Sequence, residues 1–187
     1  MLIDLSVEVT KFSNKAALEN ERMVSFGHLG THFDVMDKEF SLEYVQRKAI
    51  LFNVARGDKE EIDVEDIDIS RVEAGMFVAF YSGYIEREEY GTAKYFREHP
   101  QLSNRLIQCL LDKEISMIGV DFAGIRRGKE HTPKDQYCAD HNVFVVENLC
   151  NLKAIAGDED YRYFRINVFP IKFSGMTGLP CRVVAEV

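Results

Sequence analysis

The stretch GHLGTHFDVMDK, residues 27–38, brings together two histidines, two aspartates and a lysine. His28, His32 and Asp34 are of the types that bind a transition-metal ion, offering imidazole nitrogens and a carboxylate oxygen. A helix would bring His28 and His32 together at i and i+4, whereas an extended chain sets residues 28, 30, 32 and 34 on one face. Either way the two histidines share a face. The extended reading adds Asp34 to that face, and Gly27 and Gly30 argue against a regular helix. Gly30 would also let the backbone come close to an ion or a substrate. The plain alternative is a polar loop, and a ligand from a distant part of the chain is what would separate the two.

Glu147 is the candidate for that ligand. It ends the apolar run VFVVEN, where an acidic side chain is costly unless paired or bound to a cation. If it merely marks a strand end and faces water, Asn148 and Asn151 become ordinary cap or turn residues.

Short apolar runs must position these groups. LIDLSVEV at the start, AILFNVA (49–55), MFVAFYS (76–82), SMIGVDF (116–122), VFVVEN (143–148), YFRINVF (163–169) and the closing CRVVAEV have the length and the β-branched and aromatic content of strands. In LSNRLIQCLLDKEI, Leu106, Ile107, Leu110 and Leu111 fall on one helical face, with Ser103 as N-cap. That helix runs straight into the all-apolar SMIGV, which predicts a strand buried on both faces and an α/β class. The acidic segment GDKEEIDVEDIDISRVEAG reads as a solvated loop with a short strand or turn. No linker, repeat or low-complexity tract breaks the 187 residues, so one domain over 1–187 is expected.

Composition narrows the function classes. A net charge of -8 argues against nucleic acid, which requires clustered Lys and Arg. With no basic leader and no apolar run near the roughly 20 residues that cross a bilayer, no membrane partner is expected and a cytoplasmic protein is. Cys109, Cys138, Cys150 and Cys181 form no CxxC pair and read as reduced, buried thiols.

The residues now assembled resemble a family: the cyclase-like metal-dependent hydrolases, among them bacterial kynurenine formamidase and isatin hydrolase. Their pattern HxGTHxDxPxH is matched by HLGTHFDVMDK (28–38), and the likeness extends to DLS, IGVD (118–121), VVENLCNL (145–152) and FPIKFSGMTGLPCRVVAEV. The resemblance implies a swivelling β/β/α single domain, a homo-oligomer, and hydrolysis of an amide or lactam bond in a small molecule. It implies zinc or manganese, with His28, His32 and Asp34 matching the ligands of the first ion and Glu147 the Glu of the second cluster and a catalytic group; Lys38 makes one divalent ion the expectation.

Two departures matter. Met36 stands at the family's proline, and Lys38 at the histidine that ligates a second ion in two-metal relatives. A further family histidine, twelve residues before the Glu, falls on Asp135; His131 and His141 lie nearby without matching that spacing. Asp135 is therefore the candidate ligand there. Lys38 is expected to stand among Asp34, Asp135 and Glu147 as an ammonium replacing the second ion; it is also a candidate catalytic residue, a general base if it loses its proton, although three carboxylates would raise its pKa and work against that.

For the substrate, Phe26, Phe33, Phe40, Phe122 and Tyr137 lie near motif residues and suggest an aromatic pocket. Arg126 and Arg127, after IGVDF, offer either a clamp for a substrate carboxylate or a solvated or subunit-contact loop. A binding protein of the same fold that has lost catalysis is the rival reading, drawn from Met36 and Lys38.

Overall fold

The computed structural model describes residues 1–10, 27–57 and 59–187. Ten strands are present among them: β1 (Leu2–Asp4), β2 (His32–Asp34), β3 (Gln46–Asn53), β4 (Glu61–Ile62), β5 (Phe77–Tyr81), β6 (Gln101–Leu102), β7 (Met117–Val120), β8 (Phe144–Glu147), β9 (Tyr161–Pro170) and β10 (Gly178–Glu186). Five α-helical segments accompany them: α1 (Tyr84–Arg87), α2 (Ala93–Glu98), α3 (Asn104–Asp112), α4 (His131–Asp140) and α5 (Lys153–Ala156).

The main sheet runs β1-β10-β2-β8-β7-β5-β3-β9, and β9 pairs back onto β10. Seven strands thus close into a ring, leaving β1 on the outer side of β10. Closure removes the exposed edges an open sheet would present. The strands β3, β5, β7 and β8 pair in parallel, with α-helices in the crossovers from β5 to β7 and from β7 to β8. The remaining pairings in the ring are antiparallel.

Alternation along each strand sorts side chains into two layers. Ala49, Leu51, Phe77, Ala79, Met117 and Val146 pack with Ile166, Val168 and Val183 inside the ring. Ile50, Phe52, Val78, Phe80, Ile118 and Val145 pack outward against Leu106, Ile107 and Leu110 of α3. Strands buried on both faces explain why these runs carry almost no polar residues. The helix α3 forms as its sequence predicts: Ser103 accepts from the Leu106 amide at 2.9 Å, a cap worth about 1 kcal/mol.

The acidic segment proves more ordered than a solvated loop. It holds β4, paired in parallel with β6, and two 3-10 turns, the first closed by a capping box between Asp63 and Asp66. Asp63 also accepts from Ser103 Oγ, which ties the segment to the start of α3.

Candidate metal centre

His32 and Asp34 occupy alternate positions of β2, with Phe33 between them packed into the ring. Their side chains therefore leave the ring on its outer face. β2 pairs antiparallel with β8 in a register that sets His32 directly opposite Glu147. Glu147 has the outward parity of Val145, and α4 packs over this part of β8 carrying His131 and Asp135 one turn apart. Strand alternation, strand register and the helical i,i+4 repeat together converge five chemically competent groups.

His28 completes the set from the loop before β2. Gly27 adopts φ 81, and a β-carbon there would run into the Gly178 carbonyl, so only glycine permits this approach of the loop to the start of β10. From that seat His28 Nε2 lies 2.9 Å from Thr177 Oγ1 and Nδ1 lies 3.2 Å from Asp34 Oδ1.

Two groups of potential ligands result: His28, His32 and Asp34, and His131, Asp135 and Glu147, the ligand atoms of each within 4.8 Å of one another. The groups are contiguous, for His32 Nε2 lies 3.7 Å from Asp34 Oδ1 and 3.5 Å from Glu147 Oε2. His131 Nε2 lies 3.2 Å from Asp135 Oδ2 and 3.3 Å from Glu147 Oε1. Gly124, at φ 110, leaves room for the His131 ring where any side chain would collide with it.

The hydrogen bonds fit a metal. His32 Nδ1 lies 2.9 Å from the Gly30 carbonyl, an acceptor only, so Nδ1 carries the proton and Nε2 presents its lone pair. The same carbonyl accepts from Asn148 Nδ2, and Asn148 Oδ1 accepts from Tyr95 Oη, both at 2.9 Å. Burial pushes the Tyr95 hydroxyl well up from its usual range, keeping it a donor. Beyond this support, His32 Nε2, both Asp34 oxygens and Glu147 Oε1 are buried and, among the described residues, have no well-formed hydrogen bond, only the longer contacts between ligands given above. Groups left so are costly without a cation to meet them.

Electrostatics point the same way. Burial raises the Asp34 carboxyl, but the hydrogen bond from His28 and the nearby imidazoles of His32 and His131 outweigh it and hold it at about 2. Burial lowers His131, yet Glu147, Asp135 and Asp34 raise it to about 10. Three carboxylates with this little solvent call for positive charge among them.

The site residues read from sequence thus divide. His28, His32, Asp34, Asp135 and Glu147 are brought together. Lys38 is not among them, and its expected placement is corrected: its Nζ pairs with Asp140 at 2.7 Å and Asp37 at 3.0 Å. Those carboxylates, Asp140 foremost, raise its pKa and keep it an ammonium. The position envisaged for it is taken by His131, which sequence spacing passed over. Met36 adopts φ 56, a value closed to proline, so the turn after Asp34 departs from the family pattern in its backbone as well as its side chain.

The aromatic and arginine expectations are also revised. Phe33 and Phe122 are fully buried in the core, and Tyr137 lies on the surface stacked near His141. Phe26 falls outside the described residues. Instead Phe96 lines the cavity of about 560 Å³ over the ligands, together with Met36, Ala123 and Thr132. Arg126 is buried and braces Glu61, Glu130 and the Leu102 carbonyl, so it clamps no substrate. Arg127 does not line this cavity. Asn148 and Asn151 are turn residues at φ 59 and 58, but Asn148 also supports a ligand. No described helix is long and apolar enough to cross a membrane.

A family model described as Putative cyclase matches residues 3–126. Among solved structures, a potential metal-dependent hydrolase with cyclase activity superposes with a TM-score of 0.75 at 20% identity, over 99% of this chain and 96% of that one. A predicted metal-dependent hydrolase from Bacillus stearothermophilus gives 0.72 at 19% identity, over 99% and 97%. Isatin hydrolase A from Labrenzia aggregata, bound to benzyl benzoate, gives 0.70 at 19% identity, over 84% and 72%. None of the curated proteins matches the sequence. At these identities the superpositions establish the shared fold.

Proposed function

Since the chain belongs to the cyclase family, we propose that it is a metal-dependent hydrolase of a small amide, N-formyl or cyclic. The observation that carries this reading is the pair of contiguous His/Asp/Glu groups with buried, unsatisfied ligand atoms beside a cavity. The ion is zinc or manganese, to which nitrogen and carboxylate ligands are suited. The working form is a homo-oligomer.

His28, His32 and Asp34 would hold the first ion. A divalent ion there supplies Lewis acidity toward an amide carbonyl and activates water. The chain's own residues do the rest. Glu147, with one oxygen toward His32 and the other toward His131, receives the proton released as water adds to the carbonyl carbon. As the C–N bond breaks, that proton passes to the leaving nitrogen, giving an amine and a carboxylic acid. His131, held by Asp135, orients Glu147 when one ion is bound and joins Asp135 and Glu147 as a ligand when two are. The rival reading of a decayed site drew on Lys38, and with His131 in that place it loses its main support.

Elemental analysis of protein purified without chelators tests the reading, comparing wild type with His32→Ala. The expected result is at least one zinc or manganese per chain, lost in the variant, with amide hydrolysis lost alongside it. Metal-free wild type after supplementation would overturn it.

A further inference from the structure

We propose that Arg97 determines substrate specificity in this cavity, binding a carboxylate carried by an amide substrate with an aromatic body. The inference rests on the hydrolase reading above and names the class of molecule that the site takes.

The residues Ala93, Phe96 and Arg97 fall on one face of α2, and all three line the cavity over the His/Asp/Glu groups. The helix is fixed from both sides. Thr92 caps it by accepting from the Tyr95 amide at 3.1 Å, and Tyr95 anchors it to Asn148 and thus to the His32 support. Upstream, the buried Asp121 accepts from the Ser82 hydroxyl and from the Ser82 and Gly83 amides, holding the turn that leads into α1 and α2. Arg97 is therefore presented by a braced element.

Among the described residues its charge meets no carboxylate within ion-pair distance. Lys94 on the same helix pairs with Glu88, and Lys38, Arg56, Lys59, Arg71, Arg105, Arg126 and Arg182 all meet carboxylates. In a chain with 31 acidic residues against 23 Lys and Arg, Arg97 lines the cavity over the ligands without meeting a carboxylate among the described residues. Arg97 is also the one Lys or Arg among the residues lining that cavity. Asp135 and Glu147 already have His131 between them, so the carboxylates of the site are not aimed at Arg97, and its planar fork suits a carboxylate from outside.

The remaining wall specifies the body of the ligand. Phe96 is held edge-on by Tyr90 and Tyr95, with centroids 5.8 and 5.3 Å away. A ring so fixed offers a second ring a contact at low entropic cost. Met36 and Ala93 extend the apolar surface, and a volume of about 560 Å³ accommodates a single-ring molecule with a short polar chain.

The test uses metal-loaded protein and two probes that differ by one carboxylate, N-formyl-L-phenylalanine and N-formyl-2-phenylethylamine. Wild type is expected to prefer the acid about tenfold or more in kcat/KM, chiefly through KM, as for a hydrogen-bonded charge pair. Arg97→Met should lose that preference through a fall in kcat/KM on the acid, with Arg97→Lys recovering part of it. Independently of turnover, calorimetric binding of 3-phenylpropanoate should weaken about tenfold or more in Arg97→Met. An unchanged dissociation constant, or an equal loss on both probes, would overturn the assignment. Absence of turnover on both probes with the binding difference intact would count against the hydrolase reading and leave Arg97 assigned.

Discussion

His32 on β2 and Glu147 on β8 are direct cross-strand partners, with Nε2 3.5 Å from Oε2, although 115 positions separate them in sequence. Strand register thus does the work of assembling the site. A slip of one residue between β2 and β8 would turn His32 and Asp34 into the ring and Phe33 out of it. The burial of Phe33 and Val146, neighbours in that same register, guards the site against it.

Tyr95→Phe should weaken metal binding while leaving every ligand in place. The lost hydroxyl frees Asn148, whose amide steadies the Gly30 carbonyl that sets the His32 tautomer. Losses at such supporting positions are about tenfold to a hundredfold in affinity. Competition with a chromophoric chelator measures it, and an affinity equal to wild type would show that the Gly30 carbonyl holds His32 unaided.

Lys38→Met should change neither metal stoichiometry nor activity. Its ammonium pairs with Asp37 and Asp140, all three partly or largely exposed, and solvent screens such pairs so that they contribute little. A gain of a second ion in Lys38→Met, read by elemental analysis, would restore the lysine to the centre.

His99 should make the fold sensitive to mild acid. The ring is buried, stacked on Phe122 at 5.7 Å, with Nδ1 2.7 Å from the Pro100 carbonyl. Burial lowers its pKa from 6.5 to about 4. Between these values the unfolded chain binds a proton that the folded one refuses, so this contribution is complete above pH 6.5 and is lost as pH falls toward 4. The full cost approaches about 3 kcal/mol, since each pKa unit is worth about 1.4. Urea titrations of wild type and His99→Gln at pH 7 and pH 4.5 should show a smaller difference between the two pH values in the variant. Equal differences would place the acid sensitivity elsewhere.

The sequence made the strands and α3 legible because their periodicities are strong and both layers of the ring are apolar. Ring closure was not, since it depends on β9 meeting β10, which pair in both the open and the closed arrangement of the same strands. Among the ligands, His28, His32 and Asp34 are close in the chain and Glu147 is a conspicuous acid in an apolar run. His131 was missed because a fixed spacing of twelve pointed to Asp135. The signal was present in the i,i+4 pairing of His131 with Asp135, which one helical turn places side by side. Arg97 and Phe96 carry no motif, and only the packing of α2 beside the ligands gives them a role. Lys38 was misplaced because its position was inferred from the family's histidine, whereas the left-handed turn at Met36 carries the backbone elsewhere.

The pairing of β10 with β2 has a consequence for synthesis. His28 rests on Thr177, and Pro180 and Gly178 pair with His32 and Asp34, so the first ligand group borrows its frame from residues made well after it. A growing chain in which residues 177–180 have not yet left the ribosome lacks the frame for His28, His32 and Asp34. It is then a poor trap for stray metal at these three residues, and capture of the ion there follows the pairing of β10 with β2.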